Sequence, residues 1–222
     1  MALILNIETA TTNCSVSLSQ NGETIALKED YNSNYSHAER LHVYIKNLLE
    51  KNNVDRSQLD AIAISKGPGS YTGLRIGVSA AKGLCFSLNK PLISVSTLEA
   101  LAHQVICSDG VIVPMLDARR MEVYSAIFNS EYEQIRTTEA QILEPSSFCA
   151  YLEKGKVYFI GNGVDKTKPL ISNPNAIFVE NKLPSANEMS KLAYLKFKRN
   201  DIEDVAYFEP YYLKDFIAIK KY

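Results

Sequence analysis

The first thirty residues alternate apolar and polar positions in a way that predicts three strands. Residues 3–7 are almost continuously apolar, as expected for a buried central strand, and residues 15–19 alternate serine with apolar side chains. Asn21-Gly22 is typical of a tight hairpin turn, so we expect a third strand around Ile25 and Leu27.

Helices are predicted where a serine is followed three residues later by glutamate and then by apolar residues at helical spacing. In this capping box, each side chain satisfies a free backbone donor of the first turn. The pattern occurs at Ser36, Ser96 and Ser185. With strands at 60–66 and 91–95, the first half should run βββαβαβα, with helices at 36–51, 72–88 and 96–107.

The second half repeats this order more loosely, which suggests a structural duplication without a sequence repeat. Periodicity alone predicts an α/β class with mixed sheets. The boundary falls at Asp109-Gly110 and divides the chain into domains 1–108 and 109–222. The expected strands lie at 111–116, 123–127, near 131–137 and at 157–160, and the expected helices at 145–154 and 185–199.

Composition limits the classes of function. The 222 residues carry a formal net charge of −1, which provides no global field for a polyanion such as transfer RNA. A basic cluster at Lys191, Lys196, Lys198 and Arg199 reads as a solvated helix face. The four cysteines have no metal-binding spacing, and no apolar run approaches the length that spans a membrane. A cytoplasmic protein with reduced thiols is expected.

The segment Gly-Pro-Gly-Ser-Tyr-Thr-Gly-Leu-Arg-Ile-Gly, residues 67–77, follows a short apolar strand and opens a helix. Strand, glycine loop and helix is an arrangement that often holds a phosphate, because backbone N–H groups converge at a helix N-terminus. However, its glycine spacing fits neither the Walker loop nor the dinucleotide fingerprint.

This loop resembles the signature of the TsaB family, a bacterial partner subunit in making threonylcarbamoyl-adenosine on transfer RNA. Three further segments resemble family motifs in the same order: Leu5–Thr11, Asp117–Tyr124 and Pro210–Lys214. The resemblance implies two actin-like subdomains of the sugar kinase, Hsp70 and actin type, each a mixed sheet with helices in βββαβα order.

The same resemblance implies a non-catalytic scaffold subunit without catalytic residues. It would pair with a TsaD-like catalytic subunit and a TsaE-like ATPase, and support transfer of threonylcarbamoyl to the adenosine next to the anticodon. We expect a homodimer when the chain is alone, and direct contact with transfer RNA stays open. The alternatives are a self-sufficient actin-like ATPase or kinase, and a glycoprotease-like hydrolase.

Candidate nucleotide contacts lie in two turns. Glu8, Thr9 and Thr11 belong to the turn where actin-like ATPases approach phosphate, and Gly161 and Gly163 occupy the position of an adenosine-binding turn. The first turn lacks glycine, so close backbone approach is hindered and ATP hydrolysis should be weak or absent. Ordinary turn chemistry is the alternative. No dedicated cofactor is expected, with ATP or ADP left as a ligand at a subunit interface.

Metal binding and hydrolase chemistry find little support. His37 and His42 are five residues apart, about 140° around a helix, so they cannot face one ion together. His103 lies on another predicted helix. No Gly-x-Ser-x-Gly nucleophile elbow occurs. No metal site is expected.

The helix pair 36–51 and 72–88 is the predicted partner surface. Gly73, Gly77 and Ala81 recur every four residues and form a small-residue stripe. Each helix glycine costs about 0.5–1 kcal/mol relative to alanine, so the stripe implies close approach of another backbone. That backbone belongs either to a partner or to the chain's own sheet. The other predicted contact residues are apolar: Leu41, Tyr44, Ile45, Leu48, Leu74 and Val78.

Overall fold

The computed structural model describes residues 1–31 and 37–214, and its strands form two five-stranded mixed sheets. The first sheet has the order β3-β2-β1-β4-β5. Its strands are β1 (Leu3–Glu8), β2 (Cys14–Gln20), β3 (Glu23–Asp30), β4 (Ala61–Ser65) and β5 (Leu92–Val95). The accompanying helices are α1 (His37–Lys51), α2 (Tyr71–Leu88) and α3 (Thr97–Ala102), with a 3₁₀ turn at Arg56–Gln58.

The second sheet, written in the same direction, has the order β8-β7-β6-β9-β10, so both halves share one topology. The predicted fold class and structural duplication are therefore confirmed. Its strands are β6 (Val111–Asp117), β7 (Glu122–Phe128), β8 (Gln134–Ile142), β9 (Val157–Ile160) and β10 (Ala176–Val179). The helices are α4 (Cys149–Leu152), α5 (Val164–Thr167) and α6 (Ala186–Lys198).

The last helix of each half packs on the sheet of the other half. Helix α3 contributes Leu98 and Leu101 to an apolar cluster with strands β6, β7 and β9. Helix α6 contributes Met189 and Ala193 to a cluster with strands β1, β4 and β5. This exchange joins the halves through apolar contacts. The proposed division between residues 108 and 109 lies in the connection between α3 and β6.

Local signals give most element positions, and the departures have local causes. Phe148 has a positive φ of 65°, which breaks the predicted helix 145–154 and leaves only α4. Helix α3 ends at Ala102, before the predicted residue 107. Strand β8 begins at Gln134 instead of near 131, and the sequence pattern missed β10 and α5. Ser36, the predicted cap of α1, lies outside the described residues. No helix in the described part of the chain has the length and hydropathy to cross a bilayer.

Candidate functional site

The turn after β1 and the glycine loop before α2 pack directly against each other. Ser70 N donates a hydrogen bond of 2.7 Å to the carbonyl oxygen of Ala10. A Cβ on Gly69 would lie 2.5 Å from that same oxygen, and one on Gly73 would lie 2.2 Å from the carbonyl oxygen of Thr9. The two sequence motifs are therefore in contact, and the carbonyl oxygens of Thr9 and Ala10 lie against the backbone at the N-terminus of α2.

The candidate phosphate-contacting side chains of this turn are buried. Glu8 and Thr9 are fully buried and Thr11 is nearly so. Burial raises the pKa of Glu8 to about 7, although hydrogen bonds from the Ala10 amide and the Ser65 hydroxyl lower it. Ala10 N donates to Glu8 Oε1 over 2.6 Å. These side chains are enclosed in the turn, and their role as nucleotide contacts stays a prediction.

The second candidate turn is also explained by packing. Gly161 has a φ of +108°, and a Cβ there would lie 2.2 Å from the carbonyl oxygen of Met115. A Cβ on Gly163 would lie 2.9 Å from Val123 Cγ1. Both glycines are buried, so they fit the turn against β6 and β7. Their role as adenosine contacts stays a prediction.

The closing sequence motif lies along the glycine loop. Tyr211 N donates to the carbonyl oxygen of Lys66 over 2.7 Å, and the rings of Tyr212 and Tyr71 lie 4.9 Å apart. Just upstream, Lys82 Nζ donates to the carbonyl oxygens of Ala206 and Phe208, over 3.1 and 3.0 Å. We call residues 204–214 the C-terminal strap, because they cross the outer side of α2.

The strap also reaches the mid-chain motif. Lys214 forms an ion pair with Glu122 at the start of β7. Glu122 closes a turn that begins at Asp117, the last residue of β6, so the four segments that carry the family resemblance form one chain of contacts. Sequence order alone does not reveal this convergence.

All but one of the predicted partner-contact residues are buried in the chain's own core. Leu41, Leu74 and Ala81 are fully or almost fully buried. A Cβ on Gly77 would lie 2.2 Å from Thr9 Oγ1, so the small-residue stripe fits the helix against β1 and its turn. Gly73 does the same one turn earlier. The other buried members are Ile45, Leu48 and Val78. Tyr44 is half-buried and donates a hydrogen bond to Asp30.

The opposite face of the same two helices is open. A cleft of about 540 Å³ between α1 and α2 is lined by Ala38, His42, Arg75, Ile76, Ser79, Ala80, Gly83 and Leu84. We call this the outer groove. Phe86 on α2 is 87% exposed and Val43 on α1 is 50% exposed. Arg75 also lines a second cleft, of about 320 Å³, between α2 and the strap. The outer groove is therefore continuous with the motif segments.

Gly83 distinguishes this face from the inner one. A Cβ at Gly83 would meet no atom within 4 Å, whereas Cβ atoms at Gly73 and Gly77 would collide with Thr9. No contact with the described residues explains a costly glycine at this exposed helical position. The sequence carried a usable signal, since Gly83 lies off the stripe formed by the other small residues.

The histidines lie apart, as their spacing predicts. His37 is buried, and its Nε2 lies 2.7 Å from the carbonyl oxygen of Thr11. Burial lowers the pKa of His37, which favours the neutral ring. His42 is exposed in the outer groove, and His103 stacks on Tyr132 at 4.1 Å.

Comparison with known proteins agrees along the whole chain. A family model described as "TsaD: tRNA N6-adenosine threonylcarbamoyltransferase" matches residues 32–221. Proteins named "tRNA threonylcarbamoyladenosine biosynthesis protein TsaB" are 30% identical in Escherichia coli K12, covering 98% of this chain and 97% of the relative, and 32% identical in Bacillus subtilis 168, covering 95% and 93%. The solved structure of YeaZ from Pseudomonas aeruginosa superposes with a TM-score of 0.80 at 27% identity, covering 96% of this chain and 100% of that one. The chain belongs to the TsaB family of tRNA threonylcarbamoyladenosine biosynthesis proteins.

Proposed function

We propose that this chain is a non-catalytic subunit that docks a TsaD-like catalytic subunit through the outer groove of α1 and α2. In this role it supports transfer of a threonylcarbamoyl group to the transfer-RNA adenosine next to the anticodon. A TsaE-like ATPase is the third component, and the complex works in the cytoplasm. This assignment combines the names of the relatives with the geometry of one open surface.

The observation that carries the proposal is Gly83, a glycine in the outer groove whose missing side chain leaves open space. Gly83 lowers helix stability by about 0.5–1 kcal/mol relative to alanine, and no close contact among residues 1–31 and 37–214 offsets that cost. Close approach of a foreign backbone would supply the offset. Ala38, Ser79 and Ala80 line the groove with small side chains, which leave room for a partner backbone. The exposed Phe86 on α2 provides an apolar anchor.

The non-catalytic part of the proposal rests on the turn after β1. In a nucleotide-hydrolysing protein of this architecture, that turn must leave room for phosphate. Here the carbonyls of Thr9 and Ala10 face the glycines of α2 and its loop, and Glu8 is enclosed. In this proposal the turn packs against α2 and supports the helix that lines the outer groove.

Without its partner, the outer groove should pair with a second copy of the chain. Exposed apolar residues such as Val43 and Phe86 have no cover within the described chain. Exposed apolar side chains on the two helices that form the outer groove favour association with another chain. We therefore propose a homodimer in isolation, in competition with the catalytic partner for the same face.

The test is a charge placed in the groove. Gly83→Glu puts a carboxylate where the partner must approach, and should weaken binding to a TsaD-like protein by about 100-fold or more, because an unpaired buried charge costs several kcal/mol. The matched control is Gly155→Glu, since a Cβ at Gly155 also meets no atom within 4 Å. Pull-down and calorimetry measure the partner, and sedimentation measures the homodimer.

Both variants should remain folded. If Gly83→Glu binds the partner as tightly as Gly155→Glu does, the outer groove is not the docking surface. If Gly83→Glu loses the partner but stays a homodimer, the two associations use different surfaces and the competition proposed above is wrong.

A further inference from the structure

The mid-chain motif forms a turn that displays two arginines. Arg119 and Arg120 are exposed and adjacent, with positive φ values of 70° and 49°. L-residues other than glycine avoid this left-handed region, and two in succession need support from their surroundings. Arg119 N donates to Asp117 Oδ1 over 2.6 Å, which tightens the turn.

The support comes mainly from Lys166 on α5. Its Nζ donates to Asp117 Oδ1 at 2.8 Å, to the carbonyl oxygen of Arg120 at 2.6 Å and to that of Glu122 at 3.2 Å. The lysine side chain is only 15% exposed. Lys166 is thus a positioning residue that holds the turn 117–122 in place through these three hydrogen bonds.

The same contacts leave the arginines with unbalanced charge. The two carboxylates of the turn are already paired, Asp117 with Lys166 and Glu122 with Lys214. Within the described part of the chain, neither Arg119 nor Arg120 forms an ion pair. A chain with a net charge of −1 therefore concentrates positive charge at this turn.

An aromatic residue, Tyr124, lies on β7, the strand that follows the turn. Burial raises the pKa of Tyr124, the positive charge of Lys214 lowers it, the negative charge of Glu122 raises it and the positive charge of Arg119 lowers it. Tyr124 is half-buried on β7, with Glu122 two residues before it. Surfaces that bind single-stranded RNA combine positive charge along the backbone with aromatic side chains on which bases stack.

We propose that the turn 117–122 is a contact site for the phosphate backbone of RNA, with Arg119 and Arg120 as its phosphate ligands. Arginine presents a planar fork of donors that matches phosphate oxygens. The turn joins the ends of β6 and β7, and its two arginines are exposed, which suits an extended backbone better than an enclosed small anion. The choice of RNA rests on the proposed function, whereas the positive site rests on the geometry alone.

The experiment measures binding of a labelled transfer-RNA anticodon stem-loop to the purified full chain over a range of salt concentrations. Arg119→Gln with Arg120→Gln should weaken binding about tenfold at low salt and reduce the slope of log affinity against log salt by roughly two, because two phosphate contacts are lost. The matched control is Lys198→Gln with Arg199→Gln, which removes the same charge from exposed positions at the end of α6. The control should change affinity by less than about twofold.

Lys166→Met tests the positioning role separately. It keeps both arginines but releases the turn and frees Asp117 to pair with one of them. The affinity should fall about as far as in the double variant, while the salt slope should fall by only about one. A loss of protein stability without any change in RNA affinity would assign Lys166 to folding alone.

Three outcomes overturn the proposal. Unchanged affinity and slope in the arginine variant would exclude the turn, and equal losses in the control would mean diffuse charge attraction. Loss of inorganic pyrophosphate or ATP binding with RNA binding intact would assign the turn to small phosphates. Because the assay uses the chain alone, its result is independent of partner docking at Gly83.

Discussion

The three glycines of α2 allow a matched comparison, because replacing glycine with alanine should raise the stability of the protein at one position and lower it at the others. Alanine at Gly83 enters open space, whereas alanine at Gly77 would bring a Cβ 2.2 Å from Thr9 Oγ1 and 3.0 Å from Ile64 Cδ1. Alanine at Gly73 would lie 2.2 Å from the Thr9 carbonyl oxygen, which is backbone and cannot rotate away. Sequence-based helix propensity predicts the same gain at all three positions.

The magnitudes follow from these distances. Gly83→Ala should stabilise the fold by about 0.5–1 kcal/mol, the ordinary gain from replacing glycine inside a helix. Overpacking of a buried contact costs about 1–3 kcal/mol, so Gly77→Ala should be neutral to destabilising by about 2 kcal/mol after the same gain. Gly73→Ala should be the worst, because turn and helix must separate.

Thermal unfolding of the three variants is the assay. For a chain of this size, 1 kcal/mol shifts Tm by about 2–4 °C, so Gly83→Ala should raise Tm by about 1–4 °C. Gly73→Ala should lower it by about 4 °C or more. Binding of a TsaD-like partner is then measured on the same samples, and the stabilised Gly83→Ala variant should bind less tightly.

Two results would refute this reasoning. A decrease in Tm for Gly83→Ala would mean that α2 presents a different face to the core. An increase in Tm with full partner affinity would mean that Gly83 has no role in docking, and the outer groove would lose its main support.

Four further predictions concern the core and the chemistry. Ala81→Glu should unfold the chain, because Ala81 is fully buried, and circular dichroism that stays native would contradict that packing. Glu8 has its pKa raised to about 7, so its contribution to stability is complete below about pH 4.5 and is lost as the pH rises to about 7. Relative to Glu8→Gln, the wild type should therefore lose roughly 2–4 kcal/mol across that range in denaturant titrations. Elemental analysis should find no stoichiometric transition metal, and one metal per chain that is lost on mutating His37 or His42 would contradict this. ATP turnover by the chain alone should stay well below about 1 per second, and faster turnover would contradict the non-catalytic role.

Local chemistry determined much of the fold before any tertiary contact was known. Two of the predicted caps, Ser96 and Ser185, cap α3 and α6, because a cap needs only a hydroxyl and the backbone amides of the next turn. Ser70 caps α2 in the same way, although its role was not predicted. Asn21-Gly22 closes the predicted hairpin for the same reason. Apolar periodicity identified the strands of the first sheet, since each strand must bury its own side chains.

Tertiary structure alone decided which surfaces face inward. The spacing of Gly73, Gly77 and Ala81 implied close approach of a backbone, but the approaching group is Thr9, more than sixty residues away in the chain. The apolar stripe of α6 likewise does not specify which sheet it covers, and it packs on the sheet of the other half. A periodic pattern records that a face is buried but not what buries it, because the burial free energy depends on apolar area and is nearly indifferent to the partner's identity. That is why the inner stripe was a candidate partner surface until the fold showed Gly83 and Phe86 on the outer one.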